Sequence, residues 1–175
     1  MKEVFNLFKT SGKELTRDSM IMDVLYSTGL RRAELINLKK HDIYFDDQVI
    51  KVLGKRNKER LVPLLPELLK KLKLYSTNIR EDSFLFQSKN GNKISSSTIY
   101  RVVNKYLRNI STKTKISPHV LRHTFATHIL NNGADINSIK EILGHKSLAS
   151  TQIYTKIKIP TIVNDYMKNH PRQKK

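Results

Sequence analysis

The chain has no cysteine. That excludes disulfides and thiolate metal sites, and it fits a reducing compartment, so the cytoplasm is the expected location. No apolar run approaches the roughly 20 residues of a membrane-spanning helix. The opening Met1-Lys2-Glu3-Val4-Phe5 lacks the apolar stretch and small-residue cleavage site of a signal peptide. The phosphate-loop pattern G-x-x-x-x-G-K-S/T is missing, which removes motif support for nucleotide triphosphates. H-E-x-x-H is missing too. His119, His123 and His128 lack the acidic or thiolate company of a metal site, so no metal or other cofactor is expected. There is no internal repeat and no low-complexity block.

Acidic residues are scarce. Asp and Glu total 15 against 33 Lys and Arg, a net charge of +18. Such a charge strains a compact chain unless it serves solubility or a polyanion. Nucleic acid suits it, because each neutralised phosphate releases counterions and adds affinity. An anionic membrane surface is the rival. The basic residues run along the whole chain rather than along one amphipathic helix, which favours nucleic acid. Hydrophobic residues make up 38% of 175, enough for one core of one ordinary domain.

Periodicity predicts a mostly helical chain interrupted by a small antiparallel sheet. A helix over about 15–27 carries Met20, Ile21, Val24 and Leu25 and stops at Gly29. A short one over 31–38 follows. Segments 43–45, 48–53 and 60–64 read as strands, with turns at Asp46-Asp47 and 54–58. Pro66 opens a helix, and Ser95 to Ser97 offer caps for another. Ser117-Pro118 starts the next, ended by Gly133. Asp135 caps one that Gly144 ends. Ile162, Val163, Tyr166 and Met167 suggest a tail helix over about 159–169. The core is expected over about 16–158 of one domain spanning 1–175, with 170–175 disordered.

Several side chains could carry chemistry. His119 and Arg122 lie three apart in a helical first turn, so they share a face where anions are attracted. An arginine there can hold a phosphate bidentately. Arg31 follows Gly29-Leu30, and Glu34 three residues on would pair with it or orient it. Lys55 sits in the basic turn Gly54-Lys55-Arg56-Asn57-Lys58-Glu59-Arg60. That turn is either a solvated hairpin tip or a finger entering a DNA groove, with Arg56, Lys58 and Arg60 as DNA contacts. His145 follows Gly144, where its charge would suit the helix C-terminus. Tyr154 lies nine residues after His145 and is one of seven tyrosines. His123 and His128 read as structural, and His41 and His170 as plain surface residues.

Four blocks, in order, resemble the tyrosine recombinases of the phage integrase family, and especially its Xer-like members. They are Leu25-Tyr26-Ser27-Thr28-Gly29-Leu30-Arg31-Arg32-Ala33-Glu34-Leu35; Gly54-Lys55 with Asn57-Lys58-Glu59-Arg60-Leu61-Val62-Pro63; Ser117-Pro118-His119-Val120-Leu121-Arg122-His123-Thr124-Phe125-Ala126-Thr127-His128; and Leu143-Gly144-His145 with Thr151-Gln152-Ile153-Tyr154-Thr155. The resemblance implies a mainly α (α+β) catalytic domain, a helical bundle with a small three-stranded antiparallel sheet. It implies that Tyr154 is the nucleophile, forming a 3′-phosphotyrosyl link to one DNA strand. Arg31 and Arg122 would grip the scissile phosphate, His119 and His145 would complete its site, and Lys55 would protonate the departing 5′-oxygen. Glu34 would orient Arg31 from behind. Double-stranded DNA is the implied partner, with a homotetramer on DNA whose tail helices are exchanged between subunits. No metal or ATP is called for. Arg56 stands where Xer-like sequences carry glycine. The family usually has a helical DNA-clamping domain upstream, and this chain starts 30 residues before Arg31. That leaves a minimal recombinase or a piece of a longer one. A type IB topoisomerase sharing the phosphotyrosine chemistry, and a non-catalytic DNA-binding regulator, are the alternatives.

Overall fold

The computed structural model describes residues 15–54, 58–108, 117–144 and 158–173, with side chains in the last stretch from 163 to 172. Helix α1, Arg17–Thr28, is its centre. Thr16 caps it: the side chain accepts from the Ser19 backbone N–H, and Ser19 Oγ accepts in return from the Thr16 N–H. From Ser19 to Thr28 every residue is buried, as befits a helix walled in on all sides. Helices α3 (Pro66–Tyr75), α4 (Ser96–Leu107) and α5 (Pro118–Asn131) pack around it. Gly29 ends α1 at φ +62°, and a Cβ there would lie 2.5 Å from Phe125 Cδ1. Only glycine satisfies both the left-handed turn and the closeness of α5.

Helix α2, Arg32–Asn37, leads into a single 3-10 turn and then the sheet. Its strands are β1 (Ile43–Tyr44), β2 (Val49–Leu53) and β3 (Glu59–Pro63), antiparallel and in chain order. The β2–β3 register pairs Val49 with Pro63 and Leu53 with Glu59. Ile50, Val52 and Val62 face the core. Helix α6, Ile136–Leu143, is capped by Asp135, whose carboxylate accepts from the Asn137 and Ser138 N–H groups, and it ends at Gly144, φ +62°. Helix α7 spans Lys158–Asn169. This is the mainly α architecture with a three-stranded antiparallel sheet that the sequence predicts, with boundaries shifted by a residue or two. Among the described residues, no helix is long and apolar enough to cross a membrane.

The tail departs from expectation in two ways. His170, expected at the surface, is fully buried, with the rings of Tyr26, Phe125 and Tyr166 at centroid distances of 5.2 to 6.3 Å from it or from one another. Pro171–Gln173, expected to be disordered, form a 3-10 turn. Arg172 in that turn donates to Asp23 Oδ1 at 2.7 Å and to Ser27 Oγ at 3.0 Å. Within this chain the tail packs against α5, α6 and β3, and the buried Tyr166 hydroxyl donates to the Ser27 carbonyl. The tail's apolar stripe packs on its own body at a place that satisfies the Tyr166 hydroxyl.

Candidate phosphate site

The site is built on two chain turns that side chains tie together. The first is the step from Gly29 into α2. Arg31 occupies the position just before that helix, in an extended conformation (φ −70°, ψ 150°). Its backbone N–H would be an orphan donor there. Glu34 reaches back to accept it at 2.7 Å, and the same carboxylate accepts from Arg31 Nη1 at 2.9 Å. The pairing expected from the three-residue spacing is therefore present. Arg31 keeps 37% of its side chain exposed, while Glu34 is buried. A second arginine holds the other side of Glu34: Arg60 Nη1 and Nη2 donate to Oε1 and Oε2 at 2.8 and 2.9 Å. Burial alone would raise the Glu34 carboxyl, but Arg60 and then Arg31 outweigh it and hold the group down at about 2.

The second turn is the end of α6. Arg31 Nη2 donates to the Gly144 carbonyl at 3.3 Å, and Arg60 Nε to the Ile142 carbonyl at 2.7 Å. Arg122, on the second turn of α5, closes the arrangement. Its Nη1 donates to the Gly29 carbonyl at 2.6 Å and its Nη2 to the Leu143 carbonyl at 2.5 Å. One buried guanidinium thus spans the turn before Arg31 and the turn before His145. The carbonyls at the C-terminus of α6 carry the negative end of the helix dipole, which suits three converging cations. Burial pushes the Arg122 guanidinium down to about 10, with Arg31 adding to the effect. It stays charged at neutral pH.

Three guanidiniums surround one carboxylate, so the cluster carries about two uncompensated positive charges. Such a surplus is costly without an anion and attracts one. Of the other predicted residues, His119 lies in the first turn of α5, one turn before Arg122, and is exposed. Lys58 is exposed at the hairpin, where its carbonyl accepts from the Gly54 N–H at 2.8 Å. Lys55, Arg56, His145 and Tyr154 lie outside the described residues.

Arg60 corrects an expectation. It was read as a DNA contact in the basic turn, but its side chain is 5% exposed and bonds Glu34 and the Ile142 carbonyl inside the protein. The strand pattern held the signal: Arg60 is two residues before the core residue Val62, and alternate residues of a strand share a face. Sequence reasoning also missed the carbonyl anchors of Arg122, which have no spacing signature. His128, read as structural, bonds the Tyr26 hydroxyl at 3.0 Å.

Comparison with known proteins identifies the family. Residues 1–159 match the model of the phage integrase family. The tyrosine recombinase XerC of Pelotomaculum thermopropionicum is 39% identical over 169 residues, covering 90% of this chain and 55% of that protein. The tyrosine recombinase XerA of Pyrococcus furiosus is 43% identical over 161 residues, covering 89% and 56%. The chain thus spans about half the length of these curated relatives. A crystal structure of XerA recombinase superposes with a TM-score of 0.73 at 35% identity, covering 98% of this chain and 64% of that one. The XerH site-specific recombinase bound to difH substrate, in a pre-cleavage complex, shares the fold with a TM-score of 0.71 at 21% identity, over 91% and 50% of the two chains. With its family model matched over most of its length, the chain belongs to the phage integrase family.

Proposed function

We propose that this chain breaks and rejoins DNA strands in site-specific recombination, with Tyr154 as nucleophile and a 3′-phosphotyrosyl intermediate. One observation carries the reading. Arg31 and Arg122, distant in sequence, are both fixed on the carbonyls of the turn that leads to His145, and they form a net-positive cluster behind an exposed Arg31 edge. A phosphodiester attacked by a phenolate gains negative charge on its equatorial oxygens. Guanidiniums held beforehand stabilise that charge without reorganising. A phenol has a pKa of about 10, so it needs cationic neighbours and a proton acceptor to attack near neutral pH. In this proposal His119 and His145 bind the phosphate and handle the proton, and Lys55 protonates the 5′-oxygen that leaves. Attack by a 5′-hydroxyl of another strand then releases Tyr154. The phosphotyrosyl bond conserves the energy of the broken strand, so the scheme calls for no metal and no ATP.

Duplex DNA is the proposed partner, with Arg56 and Lys58 as candidate contacts. Assembly as a tetramer on DNA, with α7 exchanged between subunits, belongs to the same proposal. Exchange requires the contacts of Tyr166, His170 and Arg172 with their own body to break first.

A nicked suicide DNA substrate carrying a verified target site tests the chemistry. Wild type is expected to form a covalent protein–DNA adduct, and Tyr154→Phe none. Absence of an adduct from wild type would reject the reading. Relaxation of supercoiled DNA lacking any target site would instead indicate the topoisomerase alternative.

A further inference from the structure

Arg60 is a buried cation that joins Glu34 to the end of α6, and its enclosure keeps it from DNA. Its two terminal nitrogens take one Glu34 oxygen each, at 2.8 and 2.9 Å. The same two oxygens serve Arg31, Oε1 for its guanidinium and Oε2 for its backbone N–H. Its Nε fixes the Ile142 carbonyl, and its stem lies against the Gly144 turn, where an added Cβ would sit 3.2 Å from Arg60 Cδ. Gly144 is the residue whose carbonyl receives Arg31.

A carboxylate is a poor support for a phosphate-binding arginine unless something else balances it. Glu34 with Arg31 alone would make a neutral, fork-to-fork pair. Arg31 would then be held in place but with its charge cancelled, and its donors would turn inward. With Arg60 present, the carboxylate is neutralised from the interior side. We infer that Arg60 is a positioning residue for the reaction proposed above, balancing Glu34 so that Glu34 can orient Arg31 without cancelling the charge Arg31 offers to the phosphate. The inference rests on that functional reading and deepens it. The low Glu34 pKa fits a carboxylate charged throughout the working pH range. Lysine could supply the charge at this position but not the paired bonds to both oxygens together with the one to Ile142.

The test compares four proteins on the nicked substrate: wild type, Arg60→Met, Glu34→Gln with Arg60→Met, and Arg60→Lys. Read for each are the single-turnover rate of adduct formation at saturating DNA, the DNA Kd by fluorescence anisotropy, and the melting midpoint. Arg60→Met is expected to slow adduct formation by about tenfold to a hundredfold, the scale of a displaced reacting group, with DNA affinity nearly unchanged. The double variant, which removes both charges, is expected to react faster than Arg60→Met, and Arg60→Lys to fall between Arg60→Met and wild type. A merely structural Arg60 would make the double variant no faster than the single one, and that result overturns the inference, as does a wild-type rate in Arg60→Met. Should Arg60→Met fail to fold, the folded double variant decides: adduct formation within about a hundredfold of wild type supports charge balance, and none at all overturns it. A wild type that forms no adduct rejects the functional reading, and the inference falls with it. A wild type that reacts while its variants react equally fast rejects the inference alone.

Discussion

Asp23 on α1 and Glu34 at the start of α2 are both buried carboxylates, and each holds two cations. The partners differ in where they live. Glu34 is held by Arg31 and Arg60, one on the neighbouring turn and one on strand β3 of the sheet. Both belong to the folded body itself. Asp23 is held by Lys71, half-exposed on α3, and by Arg172 in the turn after the last helix, which also stacks over the Tyr26 ring at 5.5 Å. Arg172 lies in the turn after α7, so its release would leave the sheet and helices α1 to α6 connected. The same chemistry therefore makes a fixed frame at the site and a releasable clasp at the tail. What decides between them is the connectivity of the partner, not the strength of the ion pair.

The largest effect should come from the frame. Glu34→Gln leaves Arg60 buried with no charged partner, and removing one member of a buried pair costs about 3–5 kcal/mol. Urea unfolding followed by circular dichroism is expected to show that loss as one cooperative transition for the whole chain. A fall below about 1 kcal/mol would mean that Arg60 finds water or another acceptor, and that the frame is looser than its distances indicate.

Asp23→Asn should break the clasp and spare the frame. Its partners are less deeply buried, at 10% and 27% exposure, so about 1–3 kcal/mol is expected, and mostly locally. Hydrogen exchange should accelerate across 158–173 while α1, α4 and β2 keep their protection. Uniform loss of protection would erase the distinction between clasp and frame.

The frame was more legible in the sequence than the clasp. Arg31 and Glu34 are three residues apart, and the caps at Gly29, Ser95, Asp135 and Gly144 are local devices that spacing reveals. The β3 alternation held the position of Arg60, though the basic run around it pointed to solvent. The grip of Arg122 on Gly29 and Leu143, 93 and 21 residues away, needs the fold itself. For the tail, the stripe of Val163, Tyr166 and Met167 predicted an amphipathic helix but not what it would cover. His170 and Arg172 sit in a stretch whose polar composition reads as solvated. Only the pairing of Arg172 with Asp23, 149 residues away, turns that composition into a docked segment.

Acid should loosen the clasp by the smallest margin and leave the frame alone. Burial, reinforced by Arg172 and then His128, pushes His170 down to about 3 from an ordinary 6.5. The docked imidazole is neutral, while a released one takes up a proton below pH 6.5, so docking binds fewer protons than release. Lowering pH therefore weakens docking, beginning as pH falls through 6.5 and continuing to about 3. Between pH 7.5 and 5.5 the loss is about 1.4 kcal/mol, one decade of proton affinity. His128, also lowered by burial, works in the same direction, and Tyr26 and Tyr166, both raised, stay neutral throughout. In this window the Glu34 carboxylate, held near 2, stays charged and its pairs persist. Urea unfolding at both pH values, for wild type and His170→Phe, isolates the effect: the wild type should lose about 1.4 kcal/mol more than the variant. Equal losses would place the proton uptake elsewhere and leave the clasp resting on Arg172 and Asp23 alone.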